Sequence, residues 1–205
     1  MGLYRRFVLP RLIDLSMKDK GAAARRSVLV PQARGSVLEI GIGSGHNLPF
    51  YSAAVTRLQG IDPSPELLSM ARKKIDTVPF PVELTCTPAE KLTLDTGSVD
   101  TVVMTWVLCS IPDPPAALRQ MRRVLKPDGR LLFVEHGLSP DAKVEAWQRR
   151  LNPLWRKVAG GCNIDRKVDE MIASAGFRIA QLQTMYLQGP RPWTYTYEGY
   201  ALPQN

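Results

Sequence analysis

Short apolar runs alternate with amphipathic stretches between residues 36 and 136. The strand-like runs read SVLEIG, TRLQGID, PVELTC, VDTVVMTW and RLLFVEH, and several are apolar enough to be buried on both faces, as parallel strands are. Between these runs, Ser64 with Pro65 and Asp113 with Pro114 carry the cap and first-turn signals of two helices. The alternation predicts an α/β fold with an open parallel sheet and right-handed crossovers.

The pattern differs on either side of this region. Residues 3 to 17 are rich in apolar residues, but Pro10 should break or kink a helix there, so a short helix pair is expected before the core. A polar, basic helical stretch over residues 141 to 158 leads to the sequence GGCN, and Asp165 is expected to cap a further helix. Two strand-like runs follow, FRIAQLQTM and TYTYEGYAL, and the strong alternation of the last is typical of an antiparallel or half-solvated strand.

Length and composition narrow the class of protein. A chain of 205 residues with 44% hydrophobic and 22% charged residues suits one globular domain, alone or with an appended lid. Cys86, Cys109 and Cys162 are odd in number and lack a CxxC pair, so their spacing predicts neither a disulfide framework nor a zinc site. The sequence has no apolar run near the ~18 residues of a membrane span, and its charged start does not fit a signal peptide. We therefore expect a cytoplasmic protein, soluble or peripheral to a membrane.

The net charge of +8 is unevenly distributed. Residues 1 to 34 hold eight Lys and Arg against two Asp, and residues 143 to 167 are also basic, whereas the region between them is not. Basic segments that flank a core could face an anionic membrane, a nucleic acid or only water. The charge alone does not choose among these partners.

The sequence VLEIGIGSGHN runs from a buried strand into a glycine-rich turn. Such a turn lets a ligand approach the backbone closely, and its free N–H groups favour nucleotide-like ligands. Gly41, Gly43 and Gly45 give the spacing G-x-G-x-G rather than the dinucleotide spacing G-x-G-x-x-G, and the acid Glu39 precedes them. Asp62, at the end of the next strand-like run, is placed to accept both hydroxyls of a ribose. The combination predicts a cationic, ribose-bearing ligand without phosphate.

Four segments resemble the successive motifs of class I S-adenosylmethionine-dependent methyltransferases, of the methyltransferase type 11 or ubiquinone/menaquinone-methyltransferase-like branch. They are VLEIGIGSGHNLPFY, GIDPSPELLSMARKK, TPAEKLTLDTGSVDTVVMTWVLCSI and LRQMRRVLKPDGRLLFVEH. The resemblance implies a Rossmann-like seven-stranded sheet of order 3-2-1-4-5-7-6, with strand 7 antiparallel and helices on both faces. Residues 35 to 205 would form the methyltransferase domain, with residues 141 to 164 as a substrate-side insertion. Residues 1 to 34 would form a helical lid or a membrane-facing segment.

The same resemblance implies S-adenosyl-L-methionine as cofactor and S-adenosyl-L-homocysteine as product. Glu39 would orient the methionyl moiety above the glycine loop, and Asp62 would bind the ribose. The segment PAE would meet the adenine edge, although the family usually carries an acid where Pro88 stands. The implied cofactor-binding residues are Glu39, Gly41, Gly43, Gly45, Asn47, Asp62, Pro63, Ser64, Ala89, Glu90 and Trp106.

A looser resemblance links three further segments to the animal methyltransferase-like thiol methyltransferases and their bacterial relatives. These segments are MTWVLCSI, FVEH and LNPLWRKVAGGCNIDRK. The resemblance implies a small, fairly apolar acceptor such as a thiol, a quinone-like ring or a lipid amine. Those relatives associate with membranes through an amino-terminal segment, in whose place this chain has a basic, apolar start. The candidate acceptor-binding residues are Tyr4, His136, Cys162, Asn163 and Trp193, and no metal ligand is predicted.

Methyl transfer from a sulfonium is an in-line displacement, so the protein mainly has to align the reacting atoms and exclude water. A thiol acceptor supplies some thiolate unaided, whereas an amine or a hydroxyl requires a proton acceptor. The chain has two histidines, His46 and His136, and both are expected at carboxyl ends of strands, where ligands bind in such sheets. His136 is the better candidate for a catalytic base.

Other functions remain compatible with the sequence. Phospholipid N-methylation at a membrane surface would use the basic flanks. A nucleic-acid methyltransferase is disfavoured because the sequence lacks an Asn-Pro-Pro-aromatic motif and an appended RNA-binding module, so no nucleic-acid partner is expected. A domain that binds the cofactor without catalysis is a further alternative, because a fold does not guarantee chemistry.

Overall fold

The computed structural model describes residues 3 to 204, with the backbone alone for Arg5 and Arg6. Its sheet has seven strands in the order β3-β2-β1-β4-β5-β7-β6. The strands are β1 Gly35–Ile40, β2 Val55–Ile61, β3 Val82–Thr85, β4 Val99–Thr105, β5 Leu125–His136, β6 Phe177–Tyr186 and β7 Tyr195–Pro203. The first five run parallel, and β7 is antiparallel to β5 and β6. The predicted strand order and the antiparallel last strand are confirmed.

All but one of the α-helices within residues 3 to 204 begin where the sequence offers a capping side chain or a proline. The α-helices of the described residues are α1 Leu9–Ser16, α2 Lys20–Leu29, α3 Pro65–Arg72, α4 Pro114–Val124, α5 Ala142–Val158, α6 Val168–Ser174 and α7 Arg191–Thr194. The side chains of Asp19, Ser64 and Asp113 accept hydrogen bonds from the first turns of α2, α3 and α4. Pro10 lies in the first turn of α1, directly after a π-helical turn over Tyr4–Val8, so the helical backbone continues through this proline. The expected helix pair before the core is present as α1 and α2.

The prediction that Asp165 caps the next helix is wrong. That helix, α6, begins at Val168, and Lys167 occupies its N-cap position without a side-chain hydrogen bond. The Asp165 carboxylate instead accepts from Asn152 Nδ2 of α5 at 2.7 Å. A contact across the tertiary structure therefore takes the place of the local cap.

Alternate residues of the central strands pack on opposite faces of the sheet. On one face, Leu38 and Met104 pack with α4 and α6; on the other, Val37 and Val103 pack with α2 and α3. All four side chains are fully buried, and each such burial stabilises the fold by about 1.5–3 kcal/mol. Burial on both faces explains why these runs are uniformly apolar.

The strand order reverses at β1, which lies between β2 and β4. The chain leaves these central strands in opposite directions along the sheet, and this arrangement opens a crevice at their carboxyl ends. The glycine loop follows β1, Asp62 follows β2 and Trp106 follows β4. The fold therefore brings the residues of three separate motifs to one edge.

The amino-terminal segment packs over this edge and reaches α5. The Tyr4 hydroxyl donates to the Val158 carbonyl oxygen at the end of α5, at 2.8 Å. A Cβ added at Gly160 would lie 3.2 Å from Leu9 of α1. Among residues 3 to 204, no helix has both the length and the apolar character needed to cross a lipid bilayer.

Candidate functional site

The loop after β1 uses a backbone conformation that glycine adopts at little cost. Gly41, Gly43 and Gly45 have φ angles of 65°, 55° and 77°. At Gly41 space is also limiting, because a Cβ there would lie 2.2 Å from Val107 Cγ2. Gly45 packs on α3, where a Cβ would lie 3.4 Å from Ala71 Cβ. At Gly43 the nearest atom would be the Gly41 carbonyl oxygen at 3.8 Å, so the loop is open to a ligand at this residue.

Asp62, directly after β2, holds the glycine loop with both carboxylate oxygens. Oδ2 accepts from the Gly43 N–H at 3.0 Å, and Oδ1 accepts from the Ser64 N–H at 2.8 Å. Burial raises the pKa of Asp62 to about 6, although the two N–H groups oppose that shift. Each oxygen keeps a lone pair, so the two hydroxyls of a ribose can both donate to this carboxylate.

Glu39 lies on β1 beneath the loop, inside a hydrogen-bonded network. Its Oε1 accepts from Asn47 Nδ2 at 2.9 Å, and its Oε2 accepts from the Tyr51 hydroxyl at 2.8 Å. Asn47 Nδ2 also donates to Thr105 Oγ1 at 3.1 Å, and Asn47 Oδ1 accepts from Arg26 Nε at 3.0 Å. Glu39 and Asn47 are thus buried beneath the glycine loop, and direct contact of either side chain with the cofactor stays a prediction.

Replacing Glu39 with glutamine is expected to reduce the pH dependence of stability. Burial raises the pKa of Glu39 from 4.5 to about 7, against the hydrogen bonds from Tyr51 and Asn47, so the folded protein binds this proton more tightly than the unfolded chain. The resulting stability is complete below pH 4.5 and is lost as the pH rises through 7. Relative to wild type, the free energy of unfolding of Glu39→Gln should rise by roughly 2.5 kcal/mol between pH 5 and 8.

Urea unfolding at several pH values in this window measures the difference. Glu83→Gln, at an exposed position on β3, is the matched control and should follow wild type. If the difference in unfolding free energy between Glu39→Gln and wild type stayed constant from pH 5 to 8, the raised pKa of Glu39 would be contradicted.

The predicted adenine side contains a buried carboxylate oxygen without a partner among the described residues. Glu90 Oε1 accepts from the Asp113 N–H at 3.2 Å, whereas Glu90 Oε2 makes no hydrogen bond within residues 3 to 204. An unpaired buried oxygen costs about 1–3 kcal/mol, and an amino group on a purine edge would satisfy it. Ala89 beside it is buried. This geometry supports the prediction for Glu90, although Pro88 stands where the family usually carries an acid.

Trp106 lies directly after β4 in the left-handed region, with a φ of 52°. A non-glycine residue in this conformation carries about 1–3 kcal/mol of strain, which surrounding contacts must offset. Its N–H donates to the Val134 carbonyl oxygen at 2.8 Å, and the Arg26 guanidinium lies 5.0 Å from the centroid of its ring. The ring is therefore fixed, partly exposed, at the crevice.

A cavity of about 890 Å³ opens beside these residues. Its lining joins the segment after β2, the segment after β4 and the loop after α5. Pro63 and Ser64 contribute from the predicted cofactor side, and Ser110, Gly161 and Asn163 contribute from the predicted acceptor side. This volume is typical of small-molecule sites.

Next to the part of the cavity lined by Ser110 and Asn163, the side chains of Cys109, His136 and Cys162 meet. One potential ligand atom from each residue lies within 4.8 Å of the other two. His136 Nε2 lies 3.0 Å from Cys162 Sγ, and Trp155 Nε1 donates to the same sulfur at 3.3 Å. The closeness of the two thiols lowers the pKa of Cys109 and raises that of Cys162. His136 therefore contacts a protein sulfur in this structure, and its role as a base stays a prediction.

The other predicted acceptor residues take different places. Asn163 lines the cavity and donates through Nδ2 to the carbonyl oxygens of Cys109 and Gly161, at 3.0 Å and 2.8 Å. Trp193 packs on Trp155, with ring centroids 5.6 Å apart. Tyr4 is 42% exposed and connects the amino-terminal segment to α5. Of these three, only Asn163 lines the cavity.

Polar residues of α1 and α2 that no sequence pattern had singled out contact the glycine loop and Asn47 after it. Asp14 Oδ1 accepts from Ser44 Oγ at 2.6 Å and lies 2.9 Å from His46 Nε2. Burial opposes ionisation of Asp14, but hydrogen bonds from Lys18 and Ser44 and the charge of His46 lower its pKa to about 2. The available signal was an acid inside a basic, apolar segment. Arg26, which is buried and lies over the ring of Trp106, was also missed.

Comparison with known proteins agrees with this geometry. A family model described as a methyltransferase domain matches residues 38 to 133. The thiol S-methyltransferase TMT1A of Homo sapiens is 33% identical over 167 residues, which cover 80% of this chain and 67% of the relative. TMT1B of Rattus norvegicus is 32% identical over 152 residues, covering 72% of this chain and 62% of the relative. The chain thus spans about two thirds of the length of these relatives.

Further relatives extend the comparison. A phosphatidylethanolamine N-methyltransferase of Cereibacter sphaeroides is 37% identical over 115 residues, 55% of this chain and 56% of the relative. The crystal structure of YcgJ from Bacillus subtilis has a TM-score of 0.72 at 18% identity and covers 90% of this chain and 98% of that chain. Fold and site together define a Rossmann-like methyltransferase. The chain belongs to the class I S-adenosylmethionine-dependent methyltransferases, and S-adenosylmethionine is its methyl donor.

The residues at the crevice fit this donor. The Asp62 carboxylate keeps a lone pair on each oxygen for the ribose, and Glu90 Oε2 has no partner within residues 3 to 204. The loop is open at Gly43, so a ligand can approach the backbone there. The acids Glu39 and Asp62 also suit a cationic sulfonium.

Proposed function

We propose that this enzyme transfers the methyl group of S-adenosylmethionine to the sulfur of a small, apolar thiol. The observation that carries the proposal is the cavity, which joins the predicted cofactor residues Pro63 and Ser64 to Asn163 of the predicted acceptor segment. The thiol methyltransferase relatives support the choice of sulfur. The cavity volume suits an acceptor of modest size.

The cofactor supplies an activated methyl group, and the protein's contribution is alignment and exclusion of water. Asp62 would hold the ribose, while Gly43 would let the methionyl part approach the backbone. The Trp106 ring and the residues around Asn163 would exclude water from the reacting atoms. A thiol with a pKa near ~8.5 is partly ionised at neutral pH, so this chemistry does not require a base.

A screen of labelled methyl transfer tests the acceptor class. Each alkyl thiol is compared with the alcohol of the same carbon skeleton, so that the two acceptors differ only in the sulfur or oxygen atom. Phenols and quinols are tested as further acceptors. Transfer to thiols at a rate at least ~100-fold above that to the matched alcohols is expected, because an aliphatic alcohol is almost wholly un-ionised at neutral pH. Transfer confined to phenols or quinols would contradict a thiol acceptor.

We further propose that residues 3 to 34 form a lid over the cofactor. Arg26 of α2 is the central contact: its Nε donates to Asn47 Oδ1 at 3.0 Å, and its Nη1 donates to the Met17 carbonyl oxygen at 2.8 Å. The same guanidinium covers the Trp106 ring. These contacts support a lid because they connect both amino-terminal helices to the wall of the site.

Arg26→Ala is expected to weaken S-adenosylmethionine binding by about 10- to 100-fold, since hydrogen bonds of a charged group are worth about 1.5–3 kcal/mol. It should also speed proteolysis within residues 3 to 34. Arg25→Ala is the matched control, because Arg25 lies on the same helix and contacts Glu198 of β7 instead. Calorimetry and limited proteolysis measure both effects, and equal behaviour of the two variants would reject the lid.

Phospholipid N-methylation is the second candidate, and one surface feature favours it. Apolar side chains of the amino-terminal segment and of α5 are exposed, among them Leu12 at 49%, Leu15 at 66%, Trp147 at 55% and Leu154 at 68%. Basic residues accompany them in both segments, as expected of a surface that binds an anionic membrane. The phosphatidylethanolamine N-methyltransferase relative supports this alternative.

Vesicles that contain phosphatidylethanolamine and an anionic lipid extend the same screen. Labelled phospholipid, together with vesicle binding that weakens as salt increases, would favour the second candidate. Binding without phospholipid methylation would support a membrane contact of a thiol methyltransferase. Transfer to thiols without vesicle binding would reject the membrane surface altogether.

A further inference from the structure

Two buried cysteines and a histidine, each from a different part of the chain, meet at the acceptor side of the site. Cys109 follows β4, His136 ends β5 and Cys162 lies in the loop after α5. Their potential ligand atoms all lie within 4.8 Å of one another. Ligand atoms around a tetrahedral zinc ion lie roughly 3.4–3.8 Å apart, given bonds of about 2.0–2.3 Å. Small side-chain movements therefore bring all three atoms to bonding distance.

The surroundings of the cluster suit a metal ion. Trp155 Nε1 donates to Cys162 Sγ at 3.3 Å, and such a donor stabilises a metal-bound thiolate. Glu135 is fully buried directly before His136, and its Oε2 has no hydrogen-bond partner in the described part of the chain. Ile164 and Trp193 pack around the sulfur atoms. The cluster thus has donor atoms, a nearby uncompensated carboxylate oxygen and an apolar shell.

We propose that Cys109, His136 and Cys162 bind a zinc ion whose fourth coordination position opens toward the cavity. Two sulfurs and one imidazole favour zinc over the oxygen-seeking ions magnesium and calcium. Three protein ligands with one open position are the arrangement of catalytic rather than structural zinc sites. Ser110 and Asn163, the chain neighbours of the two cysteines, both line the cavity. In this arrangement His136 is a metal ligand and not a proton acceptor.

The open position would bind the acceptor thiol. This step rests on the proposed function, whereas the zinc site itself does not. Coordination releases the thiol proton to water and leaves a thiolate. A sulfur lone pair then forms the new S–CH₃ bond as the sulfonium S–CH₃ bond breaks, and that electron pair stays on S-adenosylhomocysteine. The thioether product is neutral and a weaker ligand, so it leaves.

Metal binding is tested with the full chain, stripped by a chelator and titrated with Zn²⁺, or with Co²⁺ as a coloured substitute. One zinc per chain and a sulfur-to-cobalt charge-transfer band are expected. Cys109→Ser and Cys162→Ser should each weaken zinc binding on the order of 100-fold or more, since even the loss of residues that support metal ligands costs 10- to 100-fold. Cys86→Ser, at the exposed cysteine, is the matched control and should bind zinc as wild type does.

Two outcomes would overturn the site. One is equal zinc affinity in wild type and in both ligand variants; the other is a cobalt spectrum of wild type without a charge-transfer band. The wild-type spectrum reports sulfur ligation directly, so the test stands even if a ligand variant fails to fold. Circular dichroism and calorimetry with S-adenosylmethionine check the fold of each variant.

A small alkyl thiol, added to the cobalt-loaded protein, tests the open position. A saturable change in the visible bands is expected, and unchanged bands would overturn an open position. Methyl transfer to the same thiol should be lost from metal-free protein and restored by Zn²⁺. Full activity without metal would remove zinc from the reaction but leave the proposed thiol methylation intact. Zinc binding without methyl transfer to any thiol would reject the proposed function and leave the metal site.

Discussion

Replacing Asp62 with alanine is expected to weaken the binding of both S-adenosylmethionine and S-adenosylhomocysteine by on the order of 100- to 1000-fold. Two ribose hydroxyls lose a charged acceptor, and hydrogen bonds to charged groups are worth about 1.5–3 kcal/mol each. The loop also loses an anchor, because the same carboxylate accepts from the N–H groups of Gly43 and Ser64. Since the ribose is common to both ligands, their affinities should fall by similar factors.

Titration calorimetry with the two nucleosides measures this loss. Asp95→Ala, which removes an exposed carboxylate from a loop before β4, is the control for net charge and should leave both affinities unchanged. Thermal unfolding of the two variants separates a local effect from a loss of fold. A change of less than about threefold in a folded Asp62→Ala protein would reject the ribose assignment.

Gly41→Ala is expected to have the second large effect, on stability and on cofactor binding together. The φ of 65° disfavours any side chain, and the added Cβ would lie 2.2 Å from Val107 Cγ2. Strain of about 1–3 kcal/mol adds to an overpacking cost of similar size. Val107 cannot move freely, because its N–H donates to Glu135 Oε1 at 2.9 Å. The loop itself must therefore shift, and the affinity for S-adenosylmethionine should fall at least tenfold.

The variant Gly97→Ala separates the cost of backbone strain from the cost of the contact with Val107. Gly97 has nearly the same φ, 63°, but a Cβ there has no neighbour within 4 Å among the described residues. This variant should lose only the stability that the backbone strain costs, about 1–3 kcal/mol as at Gly41, and should keep its cofactor affinity. Urea unfolding and calorimetry make the comparison. Equal losses of unfolding free energy and of cofactor affinity in Gly41→Ala and Gly97→Ala would show that the contact with Val107 has no effect.

The grouping of the predicted cofactor residues could be foreseen because their sequence signals are local. Gly41, Gly43 and Asp62 each lie just beyond the end of a strand, and the carboxyl ends of parallel strands gather at one edge of a sheet. Placing the strands correctly therefore placed these residues together. The acids Glu39 and Asp62 further narrowed the ligand to a cationic nucleoside, and the comparisons confirm the methyl donor.

The grouping of the predicted acceptor residues could be foreseen only in part. The sequence singled out His136 and Cys162, but the spacing rule for zinc considers neighbours along the chain and predicted no metal ligands. Cys109 joins them only because β4 and β5 are adjacent and the loop after α5 returns to their ends. The predicted cap at Asp165 was also overruled by a contact between distant parts of the chain, because Asn152 of α5 donates a hydrogen bond to the Asp165 carboxylate.

The sequence by itself determined the sheet, the glycine loop and the position of Asp62 beside that loop. Each follows from hydrophobic period, backbone freedom or capping, which act over a few residues. The tertiary structure alone decided that Cys109 meets His136 and Cys162, and how Asp14 and Arg26 connect the amino-terminal helices to the residues of the glycine loop. Those contacts join residues that are distant along the chain, and their geometry depends on how the elements pack rather than on any local pattern.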